Sequence, residues 1–285
     1  MTGQRILHAC GWATLTAVLA LTAFVGLWRL HGGRIERVET PSMGTVAPVG
    51  SLLWVTPVDG SRLRPGDFIS FHPPGDPGTT YSHRVRRIYA DGTIRTQGVI
   101  SAPDPWRLTS QDIVGQVRMT WPVAGWLVRA TPVLVLGGVL VALAVGRLRR
   151  RWRGAAALIG ASLVLSTAIV LYRPFVNAEQ LAFAPADDGA RATYVSTGLL
   201  PLRLQALGPG GSRVDLRDGQ VGSVRVAAAG SDRHYAVRLS PAVPFGFWLL
   251  QVAACFAPAL LGSCARLMTR RRATATATGG VAPAH

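Results

Sequence analysis

Four apolar runs constrain this chain more than anything else in it. They cover residues 6–28, 130–146, 154–172 and 241–265. A helix needs roughly 17–25 apolar residues to cross the hydrocarbon core of a bilayer, and each run is near that length or beyond it. The second is the shortest. It lengthens back to Ala124 if Arg129 carries its guanidinium to the interface on its own aliphatic stem. Trp28, Trp126, Trp152 and Trp248 fall near the expected ends, where amphipathic rings favour the headgroup layer. The expectation is an integral membrane protein with about four transmembrane helices and two segments outside the bilayer.

Charge supplies an orientation. The formal net charge is +16 over 285 residues, which in a soluble chain would point to nucleic acid. Here Arg147, Arg149, Arg150, Arg151 and Arg153 form one cluster, and Arg266, Arg270, Arg271 and Arg272 another, both abutting apolar runs. Juxtamembrane arginines belong on the cytoplasmic side, so the expected partner is the lipid bilayer and not nucleic acid. The expected order is a cytoplasmic N-terminus and anchor (1–28), an extracytoplasmic domain (29–123) and a span (124–146). A cytoplasmic arginine-rich loop (147–153), a span (154–172), a second extracytoplasmic module (173–240), a last span (241–265) and a cytoplasmic tail (266–285) follow. The first run reads as an uncleaved anchor in the cell membrane, because no clear polar boundary precedes a cleavage site. The tail, ATATATGGVAPAH from Ala273 onward, is low in complexity and expected to be disordered. Cys10, Cys255 and Cys264 lie in or beside expected spans, so no disulfide framework is expected in the outside segments.

Residues 29–123 read as a small all-β domain. SLLWV (51–55) and DFISF (67–71) are separated by Asp59-Gly60 and Pro65-Gly66, and HPPGDPGTT (72–80) is a loop by composition. HRVRRIYA (83–90) turns at Asp91-Gly92 into TIRTQ (93–97), and QDIVGQVRM (111–119) is a further strand. In the second segment LPLRLQAL (200–207), SVRVAAA (223–229) and HYAVRLS (234–240) alternate, and GPGGS (208–212) breaks them. This is a smaller β-rich module. Its polar candidates are His234, Asp187, Asp188, Asp215 and Asp218, and a spacer or partner-binding role is expected for it.

All 30 basic residues are arginine. Arginine stays protonated, so no side-chain amine is available as a base. The first outside segment holds Ser42, His72, His83, Asp67, Asp76 and Asp104. A serine hydroxyl is a weak nucleophile until a base takes its proton, and imidazole is the base left for that task near neutral pH. His72 precedes Pro-Pro in a loop and His83 opens a strand; periodicity does not choose between them. No cofactor or metal is expected.

These residues carry a resemblance to signal peptidase I, in the branch that uses histidine in place of lysine. Ser42-Met43 followed by PVGSLLWV (48–55) resembles the nucleophile box, RPGDFISF (64–71) the Gly-Asp strand, and SHRVRRI (82–88) the His-Arg-Val box. TQG (96–98) with PDPW (103–106) resembles the threonine-rich strand and acidic box, and DIVGQV (112–117) with WPVAGW (121–126) the closing strand and the turn into the next span. The similarity covers about residues 5–146. It implies a membrane-bound serine endopeptidase that removes signal peptides from exported preproteins with small residues before the cut. Ser42 would be the nucleophile, His83 the general base and Asp104 the orienting acid. Asp112 is the runner-up acid, and Thr40 would join the Ser42 N–H at the oxyanion. Signal-peptide-bearing preproteins are the expected partners, with the secretion machinery as a further candidate.

The chain departs from that pattern in three places. Thr45 stands where the family has proline, Pro41 where it has glycine, and Val99-Ile100-Ser101 where Asp-Asn follows the glycine. The alternative is therefore a catalytically inactive relative that binds or scaffolds secreted proteins. A transporter is disfavoured, because the apolar runs lack acidic residues of the kind used in ion pathways.

Overall fold

The computed structural model describes residues 16, 19–20, 22–186, 189–208, 210–226 and 236–250. Six strands come first: β1 (Arg34–Arg37), β2 (Leu52–Thr56), β3 (Phe68–Phe71), β4 (Tyr81–Ile88), β5 (Ile94–Gln97) and β6 (Ile113–Trp121). They form one antiparallel sheet in the order β1-β2-β6-β3-β4-β5. All four residues of β3 are buried, because successive side chains point to opposite faces and both faces carry a core. Phe68 packs with Met43, Ala47, Leu53 and Val55. Ile69 and Phe71 pack with Leu63, Val85, Ile94 and Leu108. The register pairs Ile69 with His83 and Ser70 with Ser82. A slip of one residue would exchange the faces of His83 and Ser82, so the two-sided core also fixes which way the histidine points.

Two helices follow, α1 (Ala124–Gly146) and α2 (Arg150–Tyr172). Each has a mean hydropathy of 2.1 and is long and apolar enough to cross a membrane, while almost none of its surface is buried. They pack against each other through small residues: Gly137 lies under Val164, and Gly160 under Val141. That close approach is how helices associate where lipid removes the hydrophobic drive between them. Arg129 lies over the rings of Trp126 and Tyr172, so its charge is carried to the helix ends. Arg153 caps α1 by donating to the Gly146 and Leu148 carbonyls.

The sequence reading expects four spans. Among the described residues two helices meet the length and apolarity required, and the count of four is not supported. Most of the first and fourth runs lies outside the described residues, with Cys10, Cys255, Cys264 and the tail; of the first run, residues 22–30 are helical. Phe24 and Trp28 of that helix stack on Trp54 of β2, which in turn meets Trp121 of β6. On the other flank, the Gly125 N–H donates to the Gly50 carbonyl (2.8 Å) and the Trp126 indole to the Val49 carbonyl (3.2 Å). The apolar helices are thus tied to the sheet at its β2 end.

Strands β7 (Ala178–Ala186), β8 (Gly189–Ser196), β9 (Leu202–Ala206), β10 (Arg213–Leu216), β11 (Val221–Val226) and β12 (Val237–Pro241) make two three-stranded sheets, β10-β9-β12 and β11-β8-β7. One core unites them, built from Ala192, Leu202, Leu204, Ala206, Leu216 and Val224. His234, Asp187 and Asp188 lie outside the described residues. The chain divides into two compact units, Met1–Pro241 and Ala242–His285. All of the strands belong to the first; in the second, residues 245–250 are helical.

Candidate active site

Ser42 occupies a 3-10 turn, Pro41–Met43. Thr40 enters it extended (φ −119°, ψ 151°), and Pro41 supplies the fixed φ of the first helical position. Gly44 leaves it at φ +52°, ψ −131°, with its N–H on the Pro41 carbonyl; that backbone favours a residue without Cβ. Met43 is 1% exposed and sits in the core shared by β2 and β3. The methionine pins the turn, and the serine beside it is left facing open space.

Two glycines let other segments close on this turn. The Ser42 carbonyl accepts the Ile100 N–H (3.0 Å), and a Cβ on Gly98 would stand 2.7 Å from that carbonyl oxygen. On the other side a Cβ on Gly219 would stand 2.4 Å from the Gly44 carbonyl oxygen. The turn between β10 and β11 of the second module therefore rests on the turn that holds Ser42.

A continuous relay runs from Ser42 into the protein. The Ser42 Oγ lies 3.0 Å from His83 Nε2, and His83 Nδ1 lies 2.8 Å from Asp104 Oδ2. Thr96 Oγ1 donates to the same carboxylate oxygen at 2.6 Å. The Asp104 N–H donates to the Thr96 carbonyl (3.0 Å), which locks the acidic segment to β5. An ionised carboxylate only accepts, so Nδ1 carries the imidazole proton and the Nε2 lone pair faces the serine hydroxyl. His83 is 4% exposed, Asp104 7% and Thr96 0%, while Ser42 is half-buried. Phe71 and Tyr81 meet the His83 ring edge-on and restrict its rotation.

The relay opens onto a cleft of about 490 Å³, lined on one side by Glu36 to Thr40 with Ser42 and Met43, and on the other by residues 78–83. Thr40 stands at its rim, exposed, with no side-chain bond into the 3-10 turn. Glu36 Oε2 accepts from Ser70 and Ser82. The sequence reading did not single out these three residues or Thr96. Thr96, Ser70 and Ser82 stood in quoted motifs without a role of their own, while Glu36 stood in none and reaches the two serines only because β1 folds back over the consecutive strands β3 and β4.

The remaining candidates lie elsewhere. His72 Nδ1 meets the Thr79 carbonyl (2.8 Å) in an exposed loop. Asp112 closes a capping box with Thr109, Asp67 accepts the Arg64 N–H, and Asp76 accepts from Gly78 and Thr79 in the 72–80 loop. Asp218, in the turn against Gly44, is pushed up to about 6 by burial, and its Oδ1 is buried with no partner. Among the described residues no group of three or more His, Cys, Asp or Glu could hold a metal ion. No protein-family model matches the chain, and no curated protein matches it significantly.

Proposed function

We propose that this chain is a membrane-bound serine endopeptidase that removes signal peptides from exported preproteins. One observation carries the reading: a half-buried serine hydroxyl, a buried imidazole and a buried carboxylate lie in hydrogen-bonded sequence at the wall of an open cleft. Ser42 Oγ attacks the scissile carbonyl as its proton passes to His83 Nε2. Asp104 holds the imidazole in the competent tautomer and stabilises the cation that forms. The tetrahedral oxyanion is met by the Ser42 N–H and the Thr40 hydroxyl, donors of a kind worth roughly 100- to 1000-fold each. The cation then protonates the leaving amine. Water, activated by the same histidine, hydrolyses the acyl-enzyme.

The bonds from Gly125 and Trp126 to the loop that follows Ser42 support a site near the membrane boundary, where the end of a signal helix emerges. The departure at residues 99–101 leaves the Ile100 N–H on the Ser42 carbonyl, so it does not open the nucleophile turn. The test is cleavage of an exported preprotein by the full chain in proteoliposomes. Cleavage is expected, and Ser42→Ala or His83→Ala should each reduce it about 10⁴- to 10⁶-fold. Processing at the wild-type rate by either variant refutes the assignment.

A further inference from the structure

The cleft holds a second polar group for which peptide-bond hydrolysis has no use. Glu36 of β1 is half-buried. Its Oε2 accepts the hydroxyl of Ser70, which is fully buried. The Ser82 Oγ lies 2.9 Å from Ser70 Oγ and 3.4 Å from Glu36 Oε2 and has one proton to give to either, so the carboxylate rests on a linked pair of hydroxyls. Its Oε1 has no hydrogen bond among the described residues, and no ion pair among them reaches Glu36. This is unexpected in a chain with 30 arginines, the more so because the neighbouring Arg37 pairs with Glu39. A carboxylate drawn partly out of water loses solvation that a cation or a donor restores.

Position points the same way. Ser82 immediately precedes His83 on β4, and Glu36 and His83 line the same cleft. Strand residues advance about 3.3 Å each, so an extended polypeptide whose carbonyl reaches Ser42 brings a side chain only a few residues away to Glu36. We infer that Glu36, seated on Ser70 and Ser82, is the floor of a specificity subsite that takes an arginine or lysine side chain of the bound polypeptide. The inference rests on reading this cleft as the polypeptide site. It narrows the substrates to exported chains with a cation close to the cut.

Binding tests it without catalysis. The full-length Ser42→Ala chain in lipid nanodiscs is titrated into fluorescent neutral peptides in which one arginine is moved through successive positions, and anisotropy is read. Arginine at one position should tighten binding about 10-fold, the scale of a hydrogen bond to a charged group. Lysine should do so less. Glu36→Gln, which keeps an acceptor for Ser70, should abolish the preference, and Glu36→Arg should transfer it to peptides bearing glutamate. Binding that ignores arginine at every position, absence of binding, or an unchanged preference in Glu36→Gln overturns the inference. Cleavage of the same peptides by the wild-type chain is scored separately. Peptides bound with arginine preference but left uncut keep the subsite and remove the peptidase reading. Peptides cut without any cation preference do the reverse.

Discussion

Replacing Asp104 by asparagine removes one charge from a site whose geometry sets the size of the loss. Asp104 Oδ2 accepts two bonds, from His83 Nδ1 at 2.8 Å and from Thr96 Oγ1 at 2.6 Å. Both donors address one oxygen, so the asparagine carbonyl should take that place and keep the imidazole tautomer. What is lost is attraction between carboxylate and imidazolium in the transition state. At an effective dielectric of about 20 and a charge separation of about 4 Å this is worth ~4 kcal/mol, or a fall of about 10³ in kcat. Thr96→Val should cost little by itself. Combined with Asp104→Asn, it frees the amide to rotate and present NH₂ to Nδ1, which inverts the tautomer and should deepen the loss to about 10⁴. The assay is steady-state hydrolysis of a preprotein-derived peptide by detergent-solubilised chain, with thermal unfolding as a check on folding. A loss under 10-fold in Asp104→Asn refutes the role given to the carboxylate, and additive losses in the double variant refute the role given to Thr96.

Three other outcomes follow from the packing. Gly98→Ala sets a methyl 2.7 Å from the Ser42 carbonyl and should lower kcat on the order of 100-fold through a displaced nucleophile; wild-type kinetics would contradict the contact. Gly219→Ala adds a Cβ 2.4 Å from the Gly44 carbonyl at φ +73° and should lower kcat as well as the unfolding temperature. Unfolding affected alone would mean that the second module does not support the serine turn. Asp218 has a folded pKa near 6, raised by burial from 3.8. The cost of its charge is therefore fully present above about pH 6 and disappears as pH falls towards 4. Asp218→Asn should stabilise the chain at pH 7.5 by on the order of 1–2 kcal/mol, discounted for partial exposure, and by nothing near pH 4. Equal gains at both pH values would contradict this origin.

The first sheet was largely readable because its strands alternate and are punctuated by Pro-Gly and Asp-Gly turns; β3 to β6 begin within a few residues of the stretches SHRVRRI, TIRTQ and their neighbours. β1 was not, since RIER has one apolar residue and acquires its place only by pairing with β2. β7, β8 and β10 escaped as well. In β7 and β8 alanine, which enters the second core at Ala192, carries little strand signal, and Pro185 sits inside β7; β10, RVDL, is four residues with two charges and acquires its place only by pairing with β9. The lysine-free background left Ser42, His72, His83, Asp67, Asp76 and Asp104 as the reactive types; the resemblance singled out Ser42, His83 and Asp104 among them, and the fold brings these three together. Asp104 and Asp112 were equal in type; tertiary pairing with Thr96 separates them. The Glu36–Ser70–Ser82 cluster had no local pattern, because a strand sequence does not state which distant strand it will face. The resemblance noted for residues 5–146 remains a proposal about activity.

The claim on which the rest depends is that His83 makes the Ser42 hydroxyl a nucleophile. It is tested most directly by the rate of adduct formation with a fluorophosphonate, located by peptide mass spectrometry of the full chain. The account predicts a single adduct on Ser42, a rate that falls on acidification because a protonated imidazole accepts no proton, and loss of the adduct in His83→Ala. Labelling of Ser42 at an unchanged rate in His83→Ala, or no labelling of Ser42 in the wild-type chain, would contradict it.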